Sequence, residues 1–183
     1  DFSIIADSGD NPTAGGVGDR VDVLKAVLES NIKDALFAGI ASKSSYDELK
    51  QGNQFNLGGS FGGGGPSLKL TAEDVYFENH CAVVKVKNTT IVISELRRPF
   101  HNLADFDSLK INLKDFQLLV VKSGYLSPEL QELSVPSFMV LSSGAVNQNL
   151  STIKNIHRKK QIFPFQDLDQ FIPEVSNGLS LIG

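Results

Sequence analysis

The sequence has no tryptophan, one methionine and a single cysteine, Cys81. One cysteine cannot close an internal disulfide, which points to a reducing, cytoplasmic setting. Long apolar runs are absent: no stretch approaches the roughly 20 residues that a membrane helix needs, and no signal-peptide pattern is found. Basic charge is not in excess either. With 17 Lys and Arg against 21 Asp and Glu, the net charge is −4 at pH 7, which argues against a nucleic-acid or anionic-membrane partner. The histidines are only His80, His101 and His157, with no HxH, HExxH or HxxxH spacing. His80 and Cys81 are adjacent, and neighbouring strand positions face opposite ways, so they make a poor chelate. No complete metal site is legible. There is also no GxSxG elbow, no P-loop and no dinucleotide fingerprint. Cys81 opens a β-branched segment and reads as a buried small hydrophobe rather than a catalytic thiol.

What is present is ordinary globular material. The 183 residues are 41% hydrophobic and 21% charged, enough to bury one core. The chain begins at Asp1 rather than Met and is expected to be a fragment of a longer protein. Ser3–Ala6 reads as a short buried strand, followed by Val21, Leu24, Val27, Leu28 and Ile32 at helical spacing, with Asp19 as the expected N-cap. Ala35–Ser42 reads as a second strand. Ser45 and Glu48 have capping-box spacing, with Gly52 as the helix stop. This alternation predicts an α/β fold with parallel β-α-β units. Asn56–Leu70, holding six glycines of the chain's 16, reads as a loop. The β-branched run from Cys81 to Arg97, broken at "KNTT", predicts an antiparallel hairpin excursion. "DFDSLKINL" is a short, ambiguous helix, Phe116–Gly124 a strand, Ser127-Pro128 a helix start, and "SFMVLSSGA" a further strand. The polar tail from Asn147 is expected to wrap the surface, anchored by Phe163 and Phe165. The whole chain, 1–183, is read as one domain with a mixed sheet.

The chemistry-bearing stretch is "DSGDNPTAGGVGD", Asp7 to Asp19. A strand, a glycine-rich turn and a helix N-terminus make a natural anion site, yet Asp7, Asp10 and Asp19 would repel a phosphate unless paired, and carboxylates in this number could instead hold a hard cation. The plainer reading is that Asp10 and Asn11 make turn hydrogen bonds, Pro12 fixes the turn and Asp19 caps the helix. Lys122-Ser123-Gly124 follows a buried strand, at the carboxyl edge where open α/β sheets bind ligands. Lys122 there is either an anion holder or a solvated lysine. The basic run His157–Lys160 reads as a solvated or inter-domain surface.

Three stretches, in order and spacing, resemble the C-terminal domain of the microcystinase C (MlrC) family. They are "IADSGDNPTAGGVGD", "LLVVKSGYLSPEL" with the later "SSGA", and "IFPFQDLD". The resemblance implies a zinc metallopeptidase or amidohydrolase whose zinc lies in an N-terminal domain, absent from this sequence. The present chain is then a companion domain that shapes the cleft, is inactive alone and holds no cofactor itself. The partners implied are that N-terminal domain and a peptide or amide substrate; a homo-oligomer is compatible with the same reading. Asp7, Asp10, Asn11, Gly15, Gly16, Asp19, Lys122 and Ser123 are carried over as substrate or interface contacts, with none assigned as catalytic or metal-binding. Thr13 and Ala14 stand where the family favours glycine, "GYLS" stands where many members have a His-Phe pair after Lys-Ser, and the closing Arg-Pro is missing. Two other readings are an anion-binding module built on the glycine-rich loop and a structural or dimerisation domain.

Overall fold

Apolar segments with β-branched or small residues form strands, and the 3.6-residue patterns between them form helices. In the computed structural model, which describes residues 2–30, 32–153 and 157, the order is β1 Ser3–Asp7, α1 Asp22–Glu29, β2 Ala35–Ala41 and α2 Lys43–Gln51. Then come β3 Gln54–Leu57, β4 Leu68–Thr71, β5 Asp74–Glu78, β6 Cys81–Val86 and β7 Thr89–Ser94. The chain continues with α3 Leu103–Asp107, β8 Leu118–Val121, α4 Pro128–Glu132 and β9 Ser137–Val140. Two compact units are present, Asp1–Gln148 and Asn149–Gly183. Every helix and strand just named belongs to the first. The described part of the second has a 3₁₀ turn, Leu150–Thr152. The expected anchors Phe163 and Phe165, and the "IFPFQDLD" stretch, lie outside the described residues.

Among the described residues the main sheet has seven strands in the order β5-β6-β7-β2-β8-β1-β9. β7, β2, β8, β1 and β9 run parallel, while β6 pairs antiparallel with both β5 and β7. The mixed α/β sheet and the hairpin at "KNTT" are therefore as expected. All seven residues of β2 are buried, as a central parallel strand covered on both faces requires. Period-2 alternation sorts its side chains. Phe37, with Val120 of β8, packs under α1 and α2 beside Leu24, Tyr46 and Leu49. Leu36, with Leu119 of β8, packs under α3 and α4 beside Phe106 and Leu130. Burying each such aliphatic or aromatic side chain contributes about 1.5–3 kcal/mol.

Four local readings are corrected. Residue 21, not Asp19, is the N-cap of α1, and it makes no side-chain cap bond; the Asp19 carboxylate is drawn instead toward backbone amides of a distant loop. Ile32 lies beyond the end of α1. The helix α2 starts three residues early, because Ser42 rather than Ser45 accepts the N3 amide, leaving Glu48 to accept the Asn56 N–H at 2.6 Å. The glycine-rich loop is shorter than its composition implies: Asn56 and Leu57 lie in β3, which pairs with β4 as a separate two-stranded sheet.

Candidate functional site

Parallel strands bring their carboxyl ends to one edge. Asp7 ends β1, Lys122 follows β8, Ser42 follows β2, and Ser142 lies two residues beyond β9. The register sets Ala6 beside Val121 and Asp7 beside Val140, so Asp7, Lys122 and Ser142 are neighbours by topology.

Lys122 is not solvated. Its Nζ lies 3.0 Å from Asp7 Oδ2 and 3.2 Å from Asp10 Oδ2, and all three residues are at most 3% exposed. A buried ammonium is tolerated only when paired and hydrogen-bonded. Two carboxylates against one ammonium leave excess negative charge, which backbone amides offset. Asp10 Oδ1 accepts the Gly18 N–H at 2.9 Å, and Oδ2 accepts the Arg20 N–H at 2.8 Å. Asp7 accepts the Ser142 hydroxyl, and Ser142 Oγ accepts the Gly9 N–H at 2.9 Å. The Phe37 ring floors the site, its centroid 5.9 Å from Nζ. Asp7, Asp10 and Lys122 thus clamp both ends of the loop to the sheet.

Within the loop, Asn11 accepts the Thr13 N–H at 2.9 Å and the Thr13 hydroxyl at 2.7 Å. It caps a 3₁₀ turn at Pro12–Ala14. The turn roles of Asp10, Asn11 and Pro12 are as expected. Gly15 leaves the turn at φ +100°, a backbone state that glycine adopts without penalty. Gly16 is required for a different reason: a Cβ there would sit 2.6 Å from the Asn11 carbonyl oxygen. Arg97 donates to the Gly16 carbonyl at 3.1 Å, bracing the turn from β7's side.

Asp19 serves the second glycine-rich loop. Its Oδ2 accepts the Phe61 N–H at 2.6 Å and the Gly63 N–H at 3.4 Å. Its Oδ1 is buried and has no partner among the described residues. Arg20, paired with Asp22 at 3.0 Å, donates to the Gly63 carbonyl at 2.9 Å. The two glycine-rich loops are therefore joined through consecutive residues, Asp19 and Arg20. Ser123, the last of the carried-over residues, donates its hydroxyl to the Tyr125 carbonyl. That bond shapes the turn leading to Tyr125, which is 75% exposed.

The structure brings Asp7, Asp10 and Lys122 into one network, with Asn11, Gly15 and Gly16 on the loop it holds. Asp19 and Ser123 belong to adjoining turns. Sequence reading missed Ser142, Arg20 and Arg97. Ser142 had a signal: it follows a strand, and a strand parallel to β1 must end at the same edge. The arginines had none for this role, because the loop carbonyls they brace, Gly63 for Arg20 and Gly16 for Arg97, are distant in sequence.

Outside this network, Glu95 is held below the usual carboxylate range by hydrogen bonds from Lys43 and then His80, and Lys43 is raised, mainly by Glu95. Burial pushes the Cys81 thiol up, partly offset by Arg98.

Among the described residues no group of three or more His, Cys, Asp or Glu side chains is placed to hold a metal ion. The carboxylates of Asp7 and Asp10 already face the Lys122 ammonium. A zinc ion does not fit this donor set, which lacks three free ligands. What the arrangement provides is a rigid rim. Charged side chains are buried as braces beneath, while Thr13, Ala14, Gly15 and Tyr125 are exposed above.

These features define an open α/β domain whose loops at the carboxyl edge are locked by a buried ion network. The family described as the MlrC C-terminus matches residues 5–157, and the chain belongs to it. The crystal structure of a putative metallopeptidase from Mesorhizobium sp. BNC1 is similar in fold, with a TM-score of 0.71 at 15% identity. The match covers 96% of this chain but 39% of that one, so the chain spans about two-fifths of that protein's length. No curated protein matches the sequence.

Proposed function

We propose that residues 1–183 form one domain, the C-terminal companion of an MlrC-like zinc metallopeptidase or amidohydrolase, and that it shapes the substrate cleft without being catalytic alone. The observation that carries this is the Asp7–Lys122–Asp10 network in a chain belonging to the MlrC C-terminus family. It commits the charged side chains to holding a loop rather than to reacting, and it leaves backbone and exposed residues to face a partner. The zinc and the water it activates belong to the N-terminal domain. The substrate is a peptide or amide, and the setting is cytoplasmic. Asp7, Asp10, Asn11, Gly16, Asp19, Lys122 and Ser123 position the rim, and Gly15 is its contact point.

Two measurements test this. The isolated chain, dialysed after zinc addition, is expected to retain less than about one-tenth equivalent by elemental analysis, for want of three free ligands. Stoichiometric zinc would overturn the division of labour. In the full-length parent, Gly15→Val is expected to lower turnover of a peptide amide more than about tenfold, roughly 1.4 kcal/mol of barrier, with zinc content unchanged. Unchanged turnover would remove the loop from the cleft.

The structural or dimerisation reading also has a specific observation in its favour. The edge strand β9 is apolar and exposed.

A further inference from the structure

Strand β9 ends the seven-stranded sheet, and no described residue pairs with its outer side. The Ile4 N–H donates to the Pro136 carbonyl and the Ser8 N–H to the Val140 carbonyl. Pro136, Phe138 and Val140 therefore turn their peptide groups toward β1. By alternation Ser137, Met139 and Leu141 turn theirs outward. Natural sheets guard such an edge with charge, a bulge or a covering element. Here Phe138 is 63%, Leu141 54% and Met139 38% exposed, with Tyr125 at 75% nearby. A groove of about 410 Å³ flanks the strand, lined by Ile5, Val23, Ala26, Val27, Ile32 and Val140 among others.

The charge pattern selects the occupant. Residues 133–153 contain no Asp, Glu, Lys, Arg or His, in a chain that is otherwise 21% charged and carries −4 overall. Two copies of an acidic chain repel each other over most of their surface. A two-fold contact also sets every charge near its axis against its own kind. A strand free of charge is where one copy meets another with least penalty. A hetero-partner, by contrast, is matched by complementary charges at the rim.

We propose that β9 pairs antiparallel with β9 of a second copy, the two-fold axis passing at Met139, so that the sheets join into one of twice the width. Met139 then faces its own counterpart, Ser137 faces Leu141 of the second copy, and the outward peptide groups of these residues exchange hydrogen bonds. Such an isologous contact closes on itself and stops at two chains.

The test is the mass of the purified chain by light scattering across a concentration series, beside Met139→Lys and Met139→Pro. Lysine places like charges across the axis. Proline removes an outward N–H and leaves the β1 side intact, a position where edge strands accept it. The wild type is expected at twice the chain mass of 19.8 kDa, falling to the single mass in both variants with circular dichroism unchanged. A wild type of single mass at every concentration overturns the proposal and leaves the edge to a different protein. So does a dimer that survives both substitutions.

Discussion

Lys122→Met is the sharpest perturbation of the buried network. The substitution keeps the length of the side chain but removes the ammonium that lies 3.0 Å from Asp7 and 3.2 Å from Asp10. Two carboxylates would then remain buried side by side, one bonded to Ser142 and the other to two backbone amides. Removing one partner of a buried pair costs about 3–5 kcal/mol, because the charge left behind has lost its water and its counter-charge. At about 2–4 °C per kcal/mol for a chain of this size, the midpoint of thermal unfolding should fall by roughly 10 °C. Adding Asp7→Asn to the variant should recover part of the loss, because it removes one of the two facing carboxylates. Urea unfolding of the three proteins measures this. A deficit below about 1 kcal/mol, within the range of an exposed pair, or no recovery in the double variant, would refute the reasoning.

Gly15→Ala and Gly16→Ala separate two uses of glycine. The first meets open space at φ +100° and should cost about 1–2 kcal/mol of conformational strain. The second drives a Cβ against the backbone of Asp10 and Asn11 and should cost more, read as the shift in urea midpoint. Ser42→Ala removes the cap of α2 and should cost about 1 kcal/mol, whereas Asp19→Ala should leave α1 intact and free the loop at Phe61–Gly63, seen as faster amide exchange there. The Cys81 thiol, raised by burial, should resist a thiol reagent in the native state and react at once in denaturant. A raised thiol contributes stability below its unfolded value that is lost as pH rises through the folded one, so alkaline unfolding should be delayed in Cys81→Ala if the packing holds.

Element type was readable from the sequence where local pattern and burial coincide. The run "ALFAGIA" reads as a buried strand, and the fully buried β2 is that strand. The hairpin at "KNTT" and the Pro128 helix start are equally local, since turn chemistry and a missing N–H act within a few residues. β3 was not legible because "QFNL" is short and has its partner β4 across ten loop residues. The Asp19 and Ser45 assignments failed for a common reason. Backbone amides distant in sequence took the expected capping carboxylates: Asp19 accepts the Phe61 N–H and Glu48 accepts the Asn56 N–H.

The candidate site divides in the same way. The composition of the Asp7–Asp19 loop called for a tight turn, and Asn11, Pro12 and Gly15 make it from within. Nothing within the loop calls for Lys122. The pairing of Asp7 and Asp10 with a residue more than a hundred positions away exists because β8 is inserted between β1 and β2. That order is set by which strands bury the most apolar surface together, not by any local preference. The local code thus determined the strand, the turn and the presence of unpaired carboxylates. Only tertiary structure supplied their counter-ion, because a buried charge must find its partner wherever the sheet brings one.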